Sequence, residues 1–176
     1  GPAGIFVGEG ISSFVFFVQS KLGFLAVGIM GAIWPLLVIT GMHRVFTPTI
    51  LQTISDTGME GTVMPSEIGA NLSLGGVSLA VALKTKNIEL RQTALAAASS
   101  ALIAGTTEPA LYGVAVRLKR PLLASLITGF VCGCLAGIAG LASRSMVSPS
   151  VLTGVQFIDP ANPGRSIMWI AGISVL

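Results

Sequence analysis

The stretch Gly105-Thr106-Thr107-Glu108-Pro109 puts one carboxylate in the middle of an otherwise uncharged run from Gln92 to Val116. A charge at membrane depth costs roughly 2.5 to 3.5 kcal/mol even on lenient insertion scales, so a lone acid there marks a functional site by default. Glycine tolerates unusual dihedrals, and proline both lacks a backbone donor and pushes the preceding residue, here Glu108, away from the helical region. A helix break is therefore predicted at the acid. It leaves unpaired backbone groups beside a carboxylate and two threonine hydroxyls, which makes a polar point rather than a lipid-facing one. The alternative is a glutamate that merely ends one helix and caps the next at the water surface.

The flanks bear on that choice. Lys84, Lys86 and Arg91 precede the run, and Arg117, Lys119 and Arg120 follow it, so six of the ten basic residues form two clusters around one element. Basic clusters in short loops favour the cytoplasmic side. If both lie there, the segment between them enters and returns. Its first arm, residues 92–104, reaches about 20 Å at ~1.5 Å per helical residue, short of a ~30 Å hydrocarbon core. Residues 92–116 are thus expected to form a re-entrant hairpin with Glu108 at the tip. One continuous helix would also span, but it would put the clusters on opposite sides.

Composition sets the class. Hydrophobic residues make up 52% of the chain and charged residues 10%, with a mean hydropathy of +0.86. The uncharged runs are too long for barrel strands and lack period-two alternation, so the expected fold is an all-α integral membrane protein of spanning helices plus two re-entrant hairpins. The net charge of +3 reflects loop bias. Basic and aromatic residues are not interleaved as a nucleic-acid surface requires, so no nucleic-acid partner is expected. The chain reads as part of a larger protein, because it ends inside an apolar stretch, Ser166 to Leu176, half the length of a span.

In chain order, residues 5–20 read as the tail of a spanning helix. Residues 22–42 are uncharged and fit one spanning helix with a kink at Pro35. Residues 43–83 form a first broken, re-entrant region: His43 to Asn71 is polar and interrupted by glycine and proline, and Leu72 to Leu83 is too short for an upright span. Paired short, interrupted segments point to a transporter's binding site, and here the pair is 43–83 with 92–116. Residues 121–143 form a second spanning helix, whose Gly129, Gly133, Gly137 and Gly140 mark a packing seam. Residues 145–158 are shorter and punctuated, and 159–165 are a turn-rich loop.

Little else carries chemistry. Cys132 and Cys134 lie two apart, which on a helix points them to different faces, so neither a disulfide nor a metal pair is expected. No nucleophile triad, phosphate-cradling loop or zinc spacing is present, and no catalytic residue, metal or cofactor is expected in this segment. The sole histidine, His43, is either an interfacial residue at a helix end or a hydrogen-bonding partner of a polar ligand. Together, the Glu108 carboxylate and the His43 imidazole supply the acceptor and donor inventory that holds a sugar.

The run Gly105-Thr106-Thr107-Glu108-Pro109-Ala110-Leu111-Tyr112-Gly113 with Arg117-Leu118-Lys119-Arg120-Pro121, the motif Gly41-Met42-His43, and the stretch Gly61 to Asn71 resemble the membrane (IIC) domain of bacterial phosphoenolpyruvate-dependent sugar phosphotransferase permeases. Within that glucose superfamily the likeness is to the β-glucoside type. The resemblance implies the later part of a IIC domain in a homodimeric, multi-pass inner-membrane protein. It implies that Glu108 and His43 contact the sugar, with Thr107, Thr106 and Asn71 as further substrate-binding carry-overs. It also implies a phosphorylated cytoplasmic IIB domain as partner, whose cysteine, not Cys132 or Cys134, gives the phosphoryl group. Two departures leave the sugar open: Thr106 stands at the signature's usual isoleucine, and Arg44 at a position where relatives carry a second histidine. The expectation is sugar transport coupled to phosphorylation, with a β-glucoside such as arbutin, salicin or cellobiose. The rivals are an ion- or proton-coupled sugar transporter in which Glu108 titrates, and a purely structural membrane segment.

Overall fold

The computed structural model describes Gly10 and residues 22–175, and every regular element among them is helical apart from a single antiparallel bridge between Glu60 and Ser143. The reading of residues 5–20 falls almost entirely outside the described residues. Three long helices form the frame: α1 (Gly23–Ile39), α3 (Val63–Lys84) and α6 (Arg120–Ala139). Between the first two lie a 3-10 turn (Met42–Val45) and α2 (Phe46–Thr57). Between the last two lie α4 (Ile88–Ser99), which widens into a π-helical turn at Ser100–Ala104, and α5, built from Glu108–Ala110, a π-helical turn at Leu111–Ala115, and Val116–Leu118. An extended strap and a 3-10 turn (Thr153–Phe157) lead to α7 (Pro163–Val175).

Small residues let the frame close. In lipid there is no hydrophobic drive between helices, so close backbone approach and packing hold them together. A Cβ added to Gly129 would lie 2.6 Å from the Gly31 carbonyl oxygen, one on Gly133 would lie 2.5 Å from that of Val27, and one on Gly137 would lie 2.6 Å from the Phe24 Cα. These pairings run antiparallel along α1 and α6, so the seam expected at Gly129, Gly133 and Gly137 is the α1–α6 contact. Gly140 has another role: at φ +66° it ends α6 in a left-handed turn. The outward side of α6 carries Leu123, Ile127, Val131 and Ile138, all exposed. A helix with small residues inside and large aliphatic ones outside suits hydrocarbon surroundings. Both cysteines are free: Cys132 is buried beside Gly69, and Cys134 touches Gly28.

Residues 43–83 differ from a region broken throughout. Leu72 to Leu83 is the second half of α3, which runs unbroken for 22 residues and at ~1.5 Å per residue reaches about 33 Å, enough to cross a bilayer. Two local features make this possible. Pro65 lies in the first turn, where its missing N–H is not needed. The amides that start the helix are taken by Glu60, whose carboxylate accepts from the N–H groups of Thr62, Val63 and Met64 at 2.7, 2.9 and 2.8 Å. The chain instead bends before α2: α1 and the Met42–Thr57 segment meet at 116° across Thr40 and Gly41. Pro35 stays inside α1 without ending it.

Candidate functional site

Residues 88–118 fold as two helical arms joined at a tight tip. Asn87 starts the first arm, its side-chain oxygen accepting from the Leu90 N–H at 3.0 Å. Gly105, at φ +71°, ends it in a left-handed turn that a side chain would resist. The N–H groups of Gly105 and Thr106 both turn back to the Ser100 carbonyl, and the Ser100 hydroxyl donates to the Thr106 carbonyl at 3.0 Å. The break is therefore at Gly105–Thr107. Glu108 is the first helical residue of the second arm rather than an extended one, because Pro109 falls in the first turn, where proline fits. Lys84 and Arg120 line one groove together with Leu90 and Leu118, so the two basic clusters lie at the same end of the frame.

The tip meets a cavity of about 280 Å³. Thr106, Thr107 and Glu108 form one wall, His43 and Arg44 a second, Trp34 and Val38 of α1 a third, and Met64 and Glu67 of α3 a fourth; Met146, Val147 and Ser148 of the strap close it. This volume is at the small end of ligand sites, which run from about 300 to 1,000 Å³. The bend after α1 aims His43 here: its ring lies edge-on to Trp34, with centroids 6.1 Å apart. Its Nδ1 is buried with no hydrogen-bond partner among the described residues. Partial burial and the adjacent Arg44 guanidinium hold the imidazole below its ordinary value, against a backbone hydrogen bond at Leu37 and the Glu108 carboxylate, which pull the other way; Nδ1 is the ring atom left for a ligand. The Glu108 carboxylate is exposed and makes no hydrogen bond within the described residues.

Four of the five site residues expected from the sequence, Glu108, His43, Thr106 and Thr107, line this one cavity; Thr106 is exposed and Thr107 buried. Asn71 does not line it. Its buried amide donates to the Pro149 carbonyl at 2.9 Å and lies within 3.5 Å of the Gly105 carbonyl, joining α3, the hairpin tip and the strap. Glu67 was not among the expected residues, although the test applied to Glu108, a lone acid at membrane depth, finds it once residues 63–84 are read as one helix. Trp34 and the strap carry no such sequence signal.

A family model described as "Phosphotransferase system, EIIC" matches residues 1–129. The chain is 69% identical over its whole length to the arbutin-, cellobiose-, and salicin-specific EIIBC component of Escherichia coli, covering 36% of that protein. It is 37% identical over 90% of its length to a β-glucoside-specific EIIBCA component of Bacillus subtilis, covering 26% of it, and 34% identical over 99% to a sucrose-specific EIIBC component from the same species, covering 37%. It thus spans roughly a quarter to a third of these relatives. No solved structure matches it. With a family match over more than two thirds of its residues and spanning-length helices packed on glycine, the chain belongs to the EIIC family of the phosphotransferase system, multi-pass proteins of the bacterial inner membrane.

Proposed function

We propose that this segment holds a β-glucoside during transport across the inner membrane and presents it for phosphorylation. The observation that carries the reading is the meeting of Glu108 and His43, distant in sequence, on one cavity with unspent hydrogen-bonding atoms. A carboxylate accepts from sugar hydroxyls, and a neutral imidazole both donates and accepts. The Trp34 ring adds an apolar wall of the kind a pyranose face packs against. Relatives whose names specify arbutin, cellobiose and salicin, or β-glucosides, support that sugar class.

The hairpin of α4 and α5 enters the membrane from the end carrying both basic clusters and returns there, so Glu108 lies inside the bilayer while remaining tied to the cytoplasmic face. The phosphoryl group comes from a phosphorylated IIB domain, since relatives carry B and C in one protein by name. Neither cysteine of this segment serves as donor: both lie on α6, Cys132 packed against α3 at Gly69 and Cys134 against α1 at Gly28. The contribution of this segment to rate is positioning, holding the acceptor hydroxyl for in-line attack.

The test is uptake by inverted-free, right-side-out vesicles of the full-length protein loaded with phosphoenolpyruvate and the soluble phosphocarriers. Phosphorylated salicin accumulates inside, and Glu108→Gln abolishes this while the protein still inserts. Accumulation of free salicin driven by the proton gradient would overturn the reading.

A further inference from the structure

Two acids seven positions apart near the start of α3 have opposite surroundings. Glu60 is buried and well satisfied, with three backbone N–H groups on its two oxygens. Glu67 has one protein donor among the described residues, the Asn71 amide at 3.4 Å, a long contact shared with two carbonyls. A carboxylate offers about four acceptor sites, so most of those on Glu67 are unfilled, and its side chain lines the cavity of Glu108 and His43. An acid within a spanning helix is retained only where a partner meets it. The cavity then sets Glu108 and Glu67 beside the Arg44 guanidinium, the His43 imidazole and the threonines Thr47, Thr106 and Thr107. The unfilled oxygens of Glu67 suit a ligand that brings hydroxyl donors.

From these unfilled oxygens in the cavity wall we infer that Glu67 is a further sugar-binding residue, a second carboxyl group that accepts from a different hydroxyl than Glu108 and so sets which stereochemistry the site takes. The inference rests on the sugar-site reading above. Glu108 sits on the hairpin tip and Glu67 on the frame, so a sugar bridging them joins two separate elements. A ring bearing both hydroxyls in the required orientation binds, and an epimer at either position leaves one carboxylate unpaired.

The experiment is calorimetric titration of salicin, and of phenyl β-glucosides each lacking one ring hydroxyl, into the purified full-length protein as wild type, Glu67→Gln and Glu108→Gln. The glutamine still offers an oxygen to Asn71, so the fold is kept. Glu67→Gln weakens salicin about 10- to 100-fold, the loss of one charge-assisted hydrogen bond. One deoxy analogue binds wild type and Glu67→Gln alike, and a different one shows this indifference to Glu108→Gln. If Glu67→Gln binds salicin as wild type does while Glu108→Gln does not, the Glu67 inference falls and the site stands. An equal loss for every analogue makes Glu67 structural and also overturns it. Wild-type affinity in both variants removes the sugar site itself.

Discussion

The side-chain amide of Asn71 donates to the carbonyl of Pro149 at 2.9 Å, a contact that crosses from the middle of α3 to the strap that closes the cavity. The same nitrogen lies 3.5 Å from the Gly105 carbonyl and 3.4 Å from Glu67. One buried side chain therefore registers the hairpin tip, the strap and the frame against each other.

Asn71→Ala leaves two buried carbonyls without their donor, at about 1 to 3 kcal/mol for an unsatisfied buried group. The expected result is a lower thermal unfolding midpoint of the detergent-solubilised full-length protein. Salicin affinity falls as well, because the tip loses its register, and Asn71→Gln does not restore either property. A direct sugar contact by Asn71 predicts instead lost affinity with an unchanged midpoint.

Gly105→Ala tests the tip. Gly105 has φ +71°, and an added Cβ would lie 2.8 Å from the Ser148 carbonyl oxygen and 3.0 Å from that of Pro149. The left-handed conformation alone costs an L-residue roughly 1 to 2 kcal/mol, and the contact with the strap adds to it. Uptake is expected to fall more than the unfolding midpoint, since the substitution displaces both the strap and Glu108. An alanine variant with full uptake would show that the tip is remodelled at no cost to the site.

Glu60→Ala separates structural from functional acid. Its carboxylate caps α3, while its backbone pairs with Ser143 in both directions at 2.7 Å. Removing it leaves three N–H groups unpaired in a site where Glu60 is only 3% exposed, and each hydrogen bond to a charged group contributes about 1.5 to 3 kcal/mol. The unfolding midpoint drops, and the salicin affinity of the folded fraction is unchanged. An affinity loss at constant stability would assign Glu60 to the sugar.

The helical class and the seam of Gly129, Gly133 and Gly137 were legible because lipid leaves a chain few choices, uncharged length and small-residue spacing deciding them; within the expected 22–42 and 121–143 the structure has helices at Gly23–Ile39 and Arg120–Ala139, the first ending before the bend. Glu108 and His43 stand out in the sequence as lone polar groups beside breaks, and the fold brings both to one cavity. Residues 63–84 misread as interrupted because glycine, proline and an acid within a dozen positions look like a loop; the continuity depends on Glu60, whose capping reaches over several residues and leaves no periodic trace. Asn71 showed its importance but not its role, since whether an amide faces a cavity or a neighbouring carbonyl is decided by the strap, more than seventy residues downstream. Trp34 and Glu67 join the site only through the bend at Thr40 and Gly41 and through the unbroken α3, neither of which the pattern of hydrophobicity shows.

His43 gives the pH dependence. Partial burial and Arg44 both disfavour its charged form, so its ionisation lies below the ordinary histidine value of 6.5. A group whose pKa is lowered in the folded protein takes its proton at lower pH than a free imidazole does, so the midpoint of its titration lies below 6.5. The His43 contribution to salicin affinity is therefore expected to change in a step centred below pH 6.5, where the imidazole loses its acceptor. His43→Gln keeps a donor and an acceptor without titrating, so it weakens binding at neutral pH but removes the His43 step from the acid side of the profile. Calorimetric titrations of wild type and variant across this range check it. A wild-type step centred above 6.5 that vanishes in His43→Gln would mean that the backbone hydrogen bond at Leu37 and the Glu108 carboxylate, rather than burial and Arg44, set the charge of the imidazole.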